Sequence, residues 1–374
     1  MEGVPDWTSP AETPAERIAR SPWRQRGHEL LSNAGALAPG VCLAALLAAV
    51  GYGISRAGPV ATSPILIAIL LGLGLRNLFG LPSVYEHGLR LCLQRVLRIG
   101  VALLGVRLSL GALGAVGVVA LPIAVGCVAT ALLLGAGASR IFGIPRRLGV
   151  LIAVGTAICG NSAIIAMGPI LRADEEEVSY AVGTVTAFGL LALLTYPFLS
   201  HALFAGDTWR AGLFLGTAIH DTAQVAGAGL VYLQQYGDAT ALETATVTKL
   251  VRNLLMVAVI PLAATLNRAE GGGRASIRGL VPFFVLGFIG MVVLRTVGDV
   301  GERAFGVASP EAWQSVISGL TLLSTACLTV AMASVGLGTD LRRLRSLGLR
   351  PMVLGLSLAA VVGAVSFALI SILT

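Results

Sequence analysis

The sequence predicts an all-α, polytopic membrane protein with about 10–11 transmembrane helices, some of them broken. Three observations lead there. Only 12% of the 374 residues are charged and 56% are hydrophobic, whereas soluble domains carry about 25% charged residues. Uncharged runs recur, among them Gly35–Ser55, Leu148–Leu171, Val178–Ser200 and Ala312–Thr339, each long enough for the ~18 residues that suggest a spanning helix. The polar residues inside these runs are clustered with glycine rather than scattered, as they would be where helices break.

Residues 1–36 are polar and contain proline and arginine, which reads as a cytoplasmic N-terminal extension before a transmembrane domain at 37–374. No apolar core follows Met1, so no cleavable signal is expected and the first helix should target the chain. Eleven apolar segments follow, near 37–55, 60–76, 91–109, 115–138, 148–171, 178–203, 211–235, 244–267, 279–297, 313–338 and 351–373. Leu108–Ser139 is uncharged for 32 residues, too long for one span. It is expected to hold the end of segment three, a turn at "GALGAVG" and then segment four. Charge enters segment three (Arg95, Arg98, Arg107), segment seven (His220, Asp221) and segment eight (Lys249, Arg252).

The net charge of +7 does not mark a nucleic-acid binder, because the arginines are spread through short loops. With the N-terminus inside and eleven spans, the inner loops hold 19 of the 26 basic residues. The positive-inside rule then places the N-terminus in the cytoplasm, the C-terminus outside and the acidic loop Asp174–Glu177 outside. The expected location is the inner, cytoplasmic membrane. The five cysteines show no Cys-x-x-Cys or Cys/His spacing, so neither a disulfide framework nor a metal site is indicated. No cofactor is expected, and no Gly-rich Lys-Ser/Thr motif for ATP is present. "ALLGVRLSLGALGAVG" (Ala102–Gly117) and "ASVGLGTDLRRLRSLG" (Ala333–Gly348) echo each other seven segments apart. That odd separation is the arrangement of an inverted repeat, a secondary-transporter signature.

Segment five reads "VGTAICGNSAIIAMGP". Glycine costs about 1 kcal/mol inside a helix, and Asn and Ser favour helix N-caps. One half-helix should end near Gly160 and a second should begin with Asn161 as cap, with Thr156, Cys159 and Ser162 nearby. Such an N-terminus offers free N–H groups and a partial positive charge to an anion. In segment six, Thr184 and Thr186 lie two apart and face different sides, so one lines a pathway and the other bonds within its own helix. In segment seven, Thr217, His220, Asp221 and Gln224 follow i, i+3, i+4, i+7 and predict one polar stripe on one helical face. Lys249, the only lysine of the chain, shares a face of segment eight with Arg252 and Asn253. Charges at bilayer depth are costly and pair with one another, so Lys249 or Arg252 is expected to neutralise Asp221.

At "GTAICGNSAIIA", "AVGTVTAFG", "IHDTAQVAGAG" and "TKLVRN" the chain resembles the YeiH-type sulfate exporter family of conserved hypothetical membrane proteins. The resemblance runs from about Ala36 to Thr374. That family is grouped with the cation/proton antiporter and bile-acid symporter superfamily. The likeness implies inverted repeats and a core domain of broken, crossing helices beside a flatter panel domain. It also implies export of sulfate or a related small anion. The expected partners are therefore that anion, a proton or other coupling ion acting through His220 and Asp221, and the lipid bilayer, with a homodimer left open. Two rival readings remain: a cation/proton antiporter in which Asp221 binds the cation, and an intramembrane hydrolase using Cys159 or Ser162 with His220 as base.

Overall fold

The computed structural model describes residues 22–57, 63–266, 283–300, 305, 309–342 and 348–374. Among them every regular element is a helix, and six helices are long and apolar enough to cross a membrane. Helix α1 (Pro22–Ala57) begins inside the stretch read as a polar extension. Residues 1–21 of that extension lie outside the described residues. Helix α2 (Pro64–Phe79) follows, capped by the Ser63 hydroxyl. Helix α3 (Glu86–Leu91) runs through a π turn (Cys92–Val96) into α4 (Leu97–Leu104). The chain turns at Leu108, which is extended, and α5 (Leu110–Ile141) starts directly after it. The turn expected at "GALGAVG" is therefore helical. Membrane-spanning helices tolerate glycine better than soluble ones do.

Segments five and seven do not span. Helices α6 (Arg146–Ala157) and α7 (Asn161–Leu171) fold back on each other. Arg147 Nη1, at the start of α6, donates to the Arg172 carbonyl at the end of α7 at 3.0 Å. A Cβ on Gly155 would lie 2.7 Å from Ile164 Cδ1, although a straight helix would hold those residues about 13 Å apart. Helix α8 (Glu175–Leu203) then crosses. Helices α9 (Thr208–Ala218) and α10 (Thr222–Tyr236) make a second hairpin. Both its ends lie beside the start of α11 (Thr240–Leu254). A Cβ on Gly212 would sit 2.8 Å from the Ala241 carbonyl, and one on Gly229 would sit 2.9 Å from Leu242 Cα. At the same end, the ring of His201 stacks on Tyr236 at 3.7 Å.

The chain continues through α12 (Met256–Leu266), α13 (Phe283–Gly298), α14 (Pro310–Gly338) and α15 (Leu349–Leu373). Cross-contacts mark two faces. On face one, Arg76 pairs with Asp340 at 3.5 Å and Arg350 Nη1 reaches the Gly143 carbonyl at 3.4 Å. On face two, Ser63 Oγ donates to Gln234 Oε1 at 2.5 Å and Leu110 N–H to Thr296 Oγ1 at 2.8 Å. The first hairpin enters from face one and the second from face two.

This overturns the expected side of Asp174–Glu177, which lies on the same face as Arg147. The cause is instructive. Folding back segment five moves Arg172 to the Arg-rich face, and folding back segment seven moves Arg210 off it. One arginine replaces the other, so the 19-to-7 split of basic residues in the sequence is unchanged. Counting charges could not detect the hairpins.

The helices form two bundles. In the first, α1, α2, α3–α4, α13 and α14 associate. Small residues let backbones meet there: a Cβ on Gly72 would lie 2.7 Å from the Ala333 carbonyl. The second bundle holds α5, both hairpins, α8, α11 and α15. Side chains of both hairpins, including Leu151, Ile164, Leu213 and Val225, fill its buried core.

Candidate functional site

The two hairpin tips meet inside the protein. At the first, α6 stops at Ala157 and the chain turns through Ile158–Gly160. Gly160 has φ +67°, and a Cβ there would sit 2.9 Å from Asp221 Oδ2. Both the backbone and the neighbour exclude a side chain. At the second tip, α9 ends at Ala218, Ile219 is extended, and Asp221 caps α10 by accepting from the Ala223 N–H at 2.8 Å. The backbone N–H groups of Asn161 and Gln224 also face this carboxylate. Asp221 thus sits at the N-termini of two half-helices.

This corrects two expectations. Gly160, not Asn161, is the N-cap of α7, and it supplies no side-chain bond. Thr217, His220, Asp221 and Gln224 do not form one helical stripe, because the chain breaks at Ile219–Asp221. The i, i+3, i+4, i+7 pattern holds only on an unbroken helix.

The C-terminal ends at the tips leave carbonyls without helical partners. Lys249 and Arg252 of α11 supply them with donors. Lys249 Nζ donates to the carbonyls of Ile158 (2.9 Å), Ile219 (3.0 Å) and His220. Arg252 Nε reaches the Ala157 carbonyl at 2.7 Å, and its Nη atoms reach those of Ile219 (3.2 Å), Thr217 and Thr156. Both side chains are 0% exposed. Neither forms an ion pair with Asp221 among the described residues, contrary to expectation. A cation at a helix C-terminus is favourable in its own right. Here two cations serve two C-termini, and their shared face on α11 is as expected.

The N-terminal sides of the tips border a cavity of about 460 Å³ lying between the bundles. Cys159, Asn161 and Ser162 line it from the first hairpin, and Asp221 and Gln224 from the second. Asn253 and Thr186 complete this wall. The wall is tied together by Thr186 Oγ1 to Asn161 Oδ1 (3.3 Å), Gln224 Nε2 to the Thr186 carbonyl (3.2 Å) and Asn253 Nδ2 to Thr222 Oγ1 (3.0 Å). Arg90, Gln94 and Arg98 line the opposite wall, with Gly338 and Thr339 at the face-one end. The cavity therefore opens toward face one.

Not every expected residue reaches it. Thr184 is buried with its hydroxyl unpartnered among the described residues, and its methyl packs toward Gly355. Thr217 is sealed, bonding the Leu213 carbonyl (2.7 Å) and Ser366 Oγ (2.6 Å). Thr156 is buried and contributes its carbonyl. His220 is 1% exposed, and neither ring nitrogen has a partner among the described residues. It forms no hydrogen-bonded pair with Cys159, whose sulfur lies 3.6 Å from Met256 Sδ, or with Ser162.

A family model described as conserved hypothetical protein 698 matches residues 39–355. The chain belongs to that family. A UPF0324 membrane protein from Agrobacterium fabrum is 34% identical over 340 residues, covering 89% of this chain and 92% of the relative. One from Bordetella pertussis is 31% identical over 348 residues, 91% of this chain and 93% of the relative. No solved structure matches. The family found is one of conserved hypothetical membrane proteins, and neither its description nor the relatives' names specify a solute or a transport activity.

Arg90, Gln94 and Thr222 were missed in the sequence as site residues, and Arg98 was noted only as a charge. A signal existed. Arg90, Gln94 and Arg98 recur at a spacing of four, which places successive members on one helical face, but they read as orientation charges at a helix end.

Proposed function

We propose that this protein is a secondary transporter that binds a small anion, sulfate or a related solute, where the two hairpin tips meet. One observation carries the reading: the N-termini of two half-helices face an open cavity while buried cations neutralise their C-termini. The charge balance supports an anion. Each half-helix end carries roughly half a charge, so the four ends cancel. Lys249 and Arg252 against Asp221 leave an excess of about one positive charge, and Arg90 and Arg98 add to it across the cavity. A cation/proton antiporter would need the opposite sign.

Face one is the Arg-rich face, so by the positive-inside rule it is cytoplasmic and the cavity faces the cytoplasm, an arrangement suited to export. Asp221 is the cavity's carboxylate at the tips and the group through which protons would couple. His220, sealed from the cavity, is not. The test is flux in proteoliposomes, screened over sulfate, sulfite, bicarbonate and small carboxylates, with and without a pH gradient. Saturable anion flux abolished by Asp221→Asn is the expected result. Cation flux with no anion flux would reverse the reading.

A further inference from the structure

Apolar side chains make up most of the cavity wall between its mouth and the tips. Leu93, Leu97 and Val101 line it on the α3–α4 side, facing Ile165, Val182 and Met256. Its volume of about 460 Å³ falls in the ~300–1,000 Å³ range of sites that hold organic ligands. A dehydrated inorganic oxyanion takes the room of about two waters, roughly 60 Å³ at ~30 Å³ each. Apolar walls offer such an ion nothing, and they charge it for lost hydration.

The π turn at Cys92–Val96 decides where the cations point. Eight residues of α-helix rotate about 800°, which is ~80° beyond two turns. One extra residue accommodated in a π turn brings this to ~700°, so Arg98 returns to within ~20° of Arg90. The two guanidiniums then share the face that lines the cavity, with Arg98 about 10 Å deeper and Leu93 and Leu97 between them. Neither arginine has a hydrogen bond or ion pair among the described residues.

We propose that the anion carried at this site is amphipathic: one strongly acidic head, a carboxylate or sulfonate, on a compact aliphatic body. The head sits between Arg98 and the polar wall of Asn161, Ser162 and Asn253, beside the half-helix N-termini that Asp221 caps. The body lies against Leu97, Val101, Ile165 and Met256. This rests on the anion-transport reading and narrows it, with inorganic sulfate as a weak ligand.

The experiment is calorimetric titration of the full chain in lipid nanodiscs, with empty nanodiscs as blank. The probes are sulfate and methane-, ethane-, propane- and butanesulfonate, all ionised at neutral pH. Affinity should rise with chain length, by up to about fourfold per fully buried methylene, and butanesulfonate should outbind sulfate. Leu97→Thr should flatten that slope. Arg98→Gln should weaken every member. Sulfate binding that equals or exceeds butanesulfonate would overturn the amphipathic substrate and leave the anion reading intact. If none of these anions binds or is transported, the anion reading falls with it.

Discussion

Two pairs of cations flank the hairpin tips and the cavity, and they are treated in opposite ways. Lys249 and Arg252 are 0% exposed, each bonded to backbone carbonyls at both hairpin tips. Arg90 and Arg98 line an open cavity with no partner among the described residues. The difference teaches how a broken helix can be held at membrane depth. Non-helical backbone survives there only when protein or a wet cavity satisfies it. The protein spends one pair of charges on the C-terminal ends, Asp221 sits at the N-terminal ends, and the second pair of cations is left for a ligand.

The largest expected effect comes from removing a sealed cation. Arg252→Met strips donors from the carbonyls of Thr156, Ala157, Thr217 and Ile219, at about 1–3 kcal/mol for each group left buried and unpaired. Folded yield should collapse in fluorescence-detected size-exclusion runs, and Lys249→Met should do the same. Direct pairing with Asp221 would let Asp221→Asn/Lys249→Met recover folding. The geometry predicts no recovery, because Lys249 serves carbonyls. A double variant that refolds to wild-type yield would restore the direct pair.

Gly160→Ala comes next. The residue has φ +67°, and its new methyl would meet the Asp221 carboxylate. Strained backbone of this kind costs of order 1–3 kcal/mol. Transport should be lost with only a partial drop in folded yield. Gly74→Ala, where nothing lies within 4 Å, should be neutral and serves as control. Equal behaviour of the two variants would remove the close approach of the tips from the mechanism.

How much of this was legible in the sequence depends on the element. The break at Gly160 was, because glycine beside Asn and Ser in an apolar run has few other uses. The second break was not. "AIHDTAQ" contains no glycine, and Ile219 and Asp221 adopt extended backbone that any residue tolerates, so its polar spacing mimicked a helical stripe. The hairpins were hidden for a different reason. Each has the length and hydropathy of a span, and only contacts such as Arg147 to Arg172 show that its ends return to one face. The direct pairing of Asp221 with Lys249 was inferred from charge alone, whereas backbone carbonyls, which every sequence carries, were the actual partners.

The cavity cations should give a smaller and cleaner effect. Arg98→Gln should keep the fold and raise the KM for anion roughly ten- to hundredfold, the size of a charge contact in a medium of effective dielectric near 20, reduced by water in the cavity. Arg90→Gln, nearer the mouth, should raise it less. Proteoliposome flux against anion concentration gives both values. An unchanged KM in both variants would leave the sealed pair as the only cations that matter.

The smallest effect sharpens the same contrast inside one helix. Thr184 and Thr186 are two residues apart on α8. Thr184 is sealed with a hydroxyl that has no partner among the described residues, whereas Thr186 borders the cavity and donates to Asn161 at 3.3 Å. Valine matches threonine in shape and lacks the hydroxyl. Thr184→Val removes a buried polar atom that bonds nothing among the described residues, so thermal stability in detergent should hold or rise and flux should be unchanged. Thr186→Val deletes one bond worth about 0.5–1.5 kcal/mol and frees the Asn161 side chain at the N-terminus of α7. Its melting temperature should fall slightly, and flux at low anion concentration should drop severalfold through KM. If Thr184→Val impairs transport while Thr186→Val does not, the wall that faces the substrate has been assigned to the wrong side of α8.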